Sequence, residues 1–248
     1  FGCSLTPTAV SSAARPKPLQ DVSLDLKGLY ANSPVSFAAC LLIGVANGAW
    51  GTLGAVYGAR IGISTPEIAL MMSLVVVAGA VFQMPVGRIS DKTDRRYVLI
   101  AASLFAAVVG VAIFFITPRS GAFVIAMTAA YGGFAYTLYS LAVAHANDHA
   151  SSEDFVKVSG GLLLLYGFGT MIGPMLASAL MSAMRPESLF LATALAHFLL
   201  AAYTALRISR RAAVPVGNRE AFKTLPAERS VTPEALRLDP RTRPQQGS

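Results

Sequence analysis

Charge is what this sequence has least of. Asp, Glu, Lys and Arg make up 13% of its 248 residues, about half of the roughly 25% usual in soluble domains. With 54% apolar residues and a mean hydropathy of +0.56, a soluble globule is excluded. So is a disordered chain, which needs low hydrophobicity and high charge. Cysteine is nearly absent: Cys3 and Cys40 cannot frame a disulfide scaffold and show no metal spacing. Histidine occurs three times, too few for the multi-histidine sites of membrane metal hydroxylases. The net charge of +7 would suit nucleic acid only if the basic residues gathered on one surface.

They do not; the charges fall in blocks. Residues 35–59, 68–87, 97–117, 120–147, 158–184 and 188–206 contain no Asp, Glu, Lys or Arg. A bilayer core about 30 Å thick takes about 20 helical residues. A charge at its centre costs about 2.5–3.5 kcal/mol on insertion scales. A backbone in lipid must satisfy its own hydrogen bonds, so these stretches are predicted to be helices. Barrel strands would be shorter and would alternate polar with apolar residues. A signal peptide does not explain six spans. Gly44, Gly48, Gly51, Gly54 and Gly58 in the first span, and Gly160, Gly161, Gly167, Gly169 and Gly173 in the fifth, suit helices packed closely in lipid. The predicted fold class is all-α: a polytopic membrane protein with six transmembrane helices.

Threading the spans alternately across the membrane puts seventeen of the twenty Lys and Arg on one side and leaves Arg60, Arg119 and Arg185 on the other. The positive-inside rule then predicts both termini in the cytoplasm. The basic balance is a topology signal, and no nucleic-acid partner is expected. Residues 1–34 read as a cytoplasmic linker, with Val22, Leu26 and Leu29 on one face of a short interfacial helix. Residues 35–207 form the six-span unit. Residues 208–248, rich in Pro and charge, are expected to be a disordered basic cytoplasmic tail. Phe1 is not an initiator Met, and the chain is expected to be truncated at its N-terminus.

One loop is specific. Between the second and third spans lies Gly87-Arg88-Ile89-Ser90-Asp91-Lys92-Thr93-Asp94-Arg95-Arg96. Gly87 permits close packing. Asp91 suits a helix N-terminus. Arg95 and Arg96 can pair with it or with anionic headgroups. An ordinary basic inside loop remains the plain alternative.

This loop resembles motif A of the major facilitator superfamily, Gly-x-x-x-Asp-Arg-x-Gly-Arg-Arg. Gly87, Asp91, Arg95 and Arg96 match, and Lys92 stands in conservatively. Asp94 departs, where the family usually has Gly, and this leaves the geometry of the turn open. Ser140–Asp148 and Leu162–Pro174 are similar to a YcaD-like subgroup. The resemblance covers about residues 20–207 and implies half of a twelve-helix carrier, built of two inverted three-helix repeats. The flanking linker and tail suggest the C-terminal half, with the N-terminal half missing from this chain. It further implies a rocker-switch mechanism, in which Asp91 latches onto a helix end of the other half. Ser159, Gly160 and Gly161 would receive that half's own Asp. Tyr166–Pro174 resembles the Gly-Pro motif of antiporters, but in the pseudo-symmetric position, so it does not establish antiport.

Polar residues inside the spans are candidates for a substrate cavity. Asn47, Trp50 and Tyr57 share a face of the first span with Gly54, and Tyr131, Tyr136 and Tyr139 fall within an arc of the fourth. In the family the first and fourth helices of a half line the central cavity. Aromatic rings with polar tips suit an amphipathic organic solute; helix packing or interfacial anchoring is the alternative. His197 is the ionisable group deep in a span, as cavity lining or as a neutral histidine bonded between helices. Gln83 either satisfies a carbonyl freed by Pro85 or meets substrate. His145, Asp148 and His149 have helical metal-ligand spacing but read better as a polar mouth, so no metal and no cofactor is expected.

The function these features imply is secondary active transport of a small organic solute by alternating access, in a bacterial inner membrane. The expected partners are membrane lipid and the small-molecule substrate. Two alternatives stand: a non-transporting membrane scaffold, and an intramembrane enzyme, for which Ser159-Gly160 lacks the leading Gly of a rhomboid-type site.

Overall fold

A computed structural model describes residues 26–150 and 155–210. The linker before Leu26, including Val22, and the tail after Arg210 lie outside the described residues, as do the expectations placed on them. Eight helices follow in order: α1 (Leu26–Asn32), α2 (Pro34–Arg60), α3 (Thr65–Lys92), α4 (Arg95–Ile116), α5 (Gly121–Ala135), α6 (Leu138–Asn147), α7 (Phe155–Ala183) and α8 (Ser188–Ile208). Six segments are long and apolar enough to cross a bilayer, with α5 and α6 together making the fourth. The spans coincide with the charge gaps because charge is tolerated only where helices leave the hydrocarbon.

Local chemistry fixes the helix ends. Pro34 opens α2, where its missing N–H costs nothing. Ser64 and Glu67 form a capping box at α3: the Ser64 N–H and hydroxyl both donate to Glu67 Oε2, at 2.8 and 2.6 Å. Asp94 caps α4 by accepting the Arg96 N–H at 3.0 Å. Thr117, at φ 48°, ends α4 in the left-handed region just before Pro118.

The helices pair in a repeating way. α2 packs along α7, α3 along α5, and α4 along α8; the next contacts are α2 with α8 and α4 with α5. Exchanging the first three spans for the last three leaves this pattern unchanged, as two inverted three-helix repeats require. Glycine carries the closest approaches. A Cβ on Gly48 would lie 2.5 Å from the Thr170 Cα and 2.6 Å from its carbonyl oxygen, and a Cβ on Gly173 would meet the Val45 carbonyl. Without a hydrophobic drive between helices in lipid, such backbone contact is what holds α2 to α7.

The fourth span is not continuous. It breaks at Tyr136 and Thr137, where the Thr137 N–H turns to the Phe134 carbonyl at 3.1 Å and the Thr137 hydroxyl donates to the same oxygen at 2.7 Å. Gln83 Nε2 approaches the Tyr136 carbonyl at 3.5 Å. Gln83 therefore serves the break in the fourth span and not a carbonyl next to Pro85. α3 and α7 are the most open spans: 17% and 28% of their most apolar windows are buried, against 44–56% elsewhere. Each keeps a broad apolar face for lipid or another helix, with Val81 and Met84 on α3 and Met171 and Met175 on α7 all exposed.

Candidate functional site

The loop motif folds into a buried ionic node at one end of the bundle. Arg95, at the first position of α4, is 2% exposed. Its Nε donates to Asp148 Oδ2 at 2.8 Å, and its Nη1 lies 3.1 Å from Asp91 Oδ1 and donates to Ser90 Oγ at 3.2 Å. One guanidinium thus ties the end of α3, the start of α4 and the end of α6 together. Arginine suits this role because its planar fork serves several acceptors at once. The side chains of Arg95 and Asp148 are 1% and 2% exposed, whereas that of Asp91 is 39% exposed. Asp91 joins the node and is still partly exposed.

Gly87 is buried where α3 is packed in, and Lys92 is exposed at the helix end. Arg96 binds Asp94, with Nη2 donating to Oδ2 at 2.7 Å and Nε donating at 3.1 Å. Burial pushes the Asp94 carboxyl up, but the Arg96 hydrogen bonds and charge outweigh it and hold it below the usual carboxylate range. Asp94 has a clear task here: it caps α4 and neutralises Arg96, so the turn forms without the family's glycine.

Asp148 was legible in the sequence only as part of a polar mouth. The structure makes it the partner of Arg95. His149 Nδ1 donates to the His145 carbonyl at 2.9 Å, and the two imidazoles stand edge to face at 4.8 Å. No group of three or more metal-ligating side chains converges among the described residues. On α7, Gly160 has open space where a Cβ would be, while Gly161 is covered by Leu29 of α1.

The residues singled out inside the spans divide into three places. Trp50, Tyr57 and Tyr131 gather around Phe190 of α8, and His197 joins them through Tyr131. The Trp50–Phe190, Tyr57–Phe190 and Tyr131–Phe190 ring centroids are 5.5, 5.0 and 5.8 Å apart. Tyr131 and His197 share a hydrogen bond of 3.2 Å through Nε2. Asn47 and Tyr139 meet at Tyr166 instead: Asn47 Nδ2 donates to its hydroxyl at 3.4 Å, and the Tyr139 ring is 4.9 Å away. Tyr136 stands at the helix break. All seven are between 0% and 8% exposed, so each lies within the six-helix bundle and none opens on a described surface. Within this cluster Trp50 Nε1, Tyr57 OH and His197 Nδ1 are buried with no partner among the described residues. Orphaned polar groups in a packed interior call for water, an ion or a ligand.

Sequence reasoning missed Phe190 and Glu187. Phe190 carried no polar signal. Glu187 lies just outside the sixth charge gap and reads as a loop residue, yet it is fully buried. It faces Arg119 at 3.4 Å, at the end of the bundle away from the motif. Beside it, Arg185 donates to the Phe114 carbonyl and lies 4.0 Å above the Phe114 ring.

Comparison with known proteins agrees with this geometry. The family model described as Major Facilitator Superfamily matches residues 35–244. A protein of Escherichia fergusonii, "Uncharacterized MFS-type transporter YcaD", is 31% identical over 180 residues, which is 72% of this chain and 45% of the relative. Its namesake from Salmonella arizonae is 31% identical over 160 residues, 64% of this chain and 41% of the relative. That of Shigella flexneri is 29% identical over 160 residues, with the same coverage. The chain therefore spans about half the length of the curated relatives it matches.

Proposed function

The chain belongs to the major facilitator superfamily, and from that premise we propose that its six spans are the C-terminal half of a secondary active carrier for a small organic solute. The observation that carries this reading is the Arg95 node, with Asp91 left partly exposed. The solute path needs a second six-helix set to face this one, whether in the same polypeptide or in another. Support comes from the matched share of the relatives, 45% and 41%, and from the open faces of α3 and α7.

In this reading the motif end is cytoplasmic, and the membrane is the bacterial inner membrane. Asp91 holds the end of α3 through Arg95 and, partly exposed, meets a helix N-terminus of the opposing half. The positive end of a helix dipole stabilises a carboxylate there by about 0.3–1 kcal/mol, or about 2 kcal/mol when partly buried. That contact closes the cytoplasmic side. Gly160, with open space at its Cβ position, leaves room for the opposing half's equivalent.

The exposed small residues Gly51, Thr52 and Ala55 on α2, with Ala122, Ala126 and Ala130 on α5, form this half's wall of the path. Behind it lies the cluster of Trp50, Tyr57, Tyr131 and His197. Its three orphaned polar atoms make it the part of the candidate cavity best suited to meet a solute's hydrogen-bonding groups. Asn47, Tyr139 and Tyr136 support the helices around it.

The test is transport by the full-length carrier in proteoliposomes, screened with small amphipathic solutes. Asp91→Asn keeps shape and removes charge, and is expected to insert normally and to cut transport at least tenfold. Transport by that variant at the wild-type rate overturns the latch.

A further inference from the structure

At the motif end a narrow cleft of about 20 Å³ opens beside Arg96, His145, His149, Arg207 and the first turn of α2. Its composition is one-sided. Among the described residues no acidic side chain borders it; Asp94 pairs with Arg96, through Nε and Nη2, without lining the cleft. Arg207, in the last turn of α8, makes no ion pair among the described residues. His145 is 7% exposed, and its ring nitrogens make no hydrogen bond among those residues. The first turn of α2 adds a positive dipole end. Ser33 stands at its N-cap without capping it, because its hydroxyl donates to Ser36 Oγ at 2.9 Å.

The volume decides what fits. About 10–15 Å³ holds one water, so the cleft admits an oxygen or two and not an organic solute. Two arginines, two imidazoles and an uncapped helix start favour oxygens that carry negative charge. The remainder of the anion must sit outside, where the spans leave the membrane.

We propose that this cleft binds the phosphate oxygens of an anionic phospholipid headgroup in the leaflet at the motif end. The lipid source follows from position: the cleft joins the starts of the first and third spans and the ends of the fourth and sixth, at the level of the headgroups. The proposal rests on the cytoplasmic orientation given above, since anionic lipid attracts basic groups at that surface. A headgroup there would brace Arg96 and Arg207 across the bundle without entering the solute path.

The test is lipid retention by the purified full-length protein in detergent, read by native mass spectrometry, and it requires no transport. Protein is mixed with phosphatidylglycerol or phosphatidylcholine. Wild type is expected to keep phosphatidylglycerol over phosphatidylcholine by about fivefold, the effect of about one basic side chain at a membrane surface. Arg207→Gln is expected to remove the preference, Arg207→Lys to restore part of it, and Arg210→Gln, outside the cleft, to leave it intact. Equal retention of both lipids by wild type overturns the proposal. So does an unchanged preference in a folded Arg207→Gln protein. Displacement of phosphatidylglycerol by millimolar inorganic phosphate would make this a free-anion site and overturn the lipid assignment. If Asp91→Asn retains lipid while transport is lost, the carrier reading and this one are separated. Transport unaffected by Asp91→Asn, with lipid still selected, sinks the latch alone.

Discussion

The Arg95 guanidinium and the Asp148 carboxylate lie 2.8 Å apart with both side chains almost wholly buried. They join residues 53 apart in sequence and fix the fourth span against the loop between the second and third. A buried pair is not a net source of stability by itself, but removing one member leaves the other's buried charge less compensated, at up to about 3–5 kcal/mol, and Arg95 then keeps Asp91 at 3.1 Å. Asp148→Ala is expected to lower the melting temperature sharply in detergent. Asp148→Asn, which still accepts a hydrogen bond, should cost less. In the double-mutant cycle, adding Arg95→Ala should recover part of the loss, because the buried charge is then gone and Asp91, which also loses Arg95, is partly exposed. Additive losses would contradict the coupling.

The contact between α2 and α7 depends on the absence of a side chain at Gly48. A Cβ there would press on the Thr170 backbone, which cannot rotate away. Gly48→Leu is expected to destabilise the bundle by about 1–3 kcal/mol or more, the usual cost of overpacking. Gly51→Ala, one helical turn on with open space at its Cβ position, should be nearly neutral. Thermal unfolding of the two variants side by side checks the contrast.

The Asp94 carboxyl is held below its ordinary value by Arg96, against the upward push of burial. A group depressed in the folded state contributes stability that is complete above its unfolded value, about 3.9 for aspartate. That stability is lost as pH falls through the lower folded value. Wild type and Asp94→Asn should therefore differ by a constant amount between pH 5 and 8 and converge below about pH 4. Melting curves across that range read the difference, and a gap that widened on acidification would contradict the assignment.

Glu187 and Arg119 form an asymmetric pair: the carboxylate side chain is 0% exposed and the guanidinium side chain 64%. Losing the arginine strands a buried charge, while losing the carboxylate releases a group already in water. Arg119→Ala is expected to lower stability by about 1–3 kcal/mol, because it removes the charge facing a buried carboxylate whose oxygens have no hydrogen bond among the described residues. Glu187→Gln should cost less or stabilise. The reverse order, measured by thermal unfolding, would show that Glu187 gains its partner elsewhere.

The spans were legible because lipid forbids charge, so six gaps in the charge pattern became six crossings. Gly44, Gly48, Gly169 and Gly173 likewise pointed to a close helix pair, and motif A pointed to the node at Asp91 and Arg95. The break at Tyr136 was not legible: a run of apolar and aromatic residues has the same hydropathy whether its backbone continues or turns. Neither was the direction faced by Asn47, Trp50 and Tyr57. A shared helical face is visible in spacing, but whether it meets solvent or the rings of Phe190 and Tyr166 depends on which helices lie opposite. Asp148 and Glu187 were hidden for a related reason. Both stand at the margins of spans, where a carboxylate reads as loop and only packing reveals that it is buried.

Thr52 gives the most direct access to alternating access itself, because it is exposed on the wall assigned to the path and reading it needs no identified substrate. Thr52→Cys, in the full-length carrier freed of its own cysteines, would be treated with a membrane-impermeant thiol reagent from each side of sealed, oriented vesicles. The account predicts labelling from both sides. It also predicts that adding Asp91→Asn shifts the balance toward the cytoplasmic side, because the latch that closes that side is lost. Labelling from one side only, or a balance indifferent to Asp91, would contradict it.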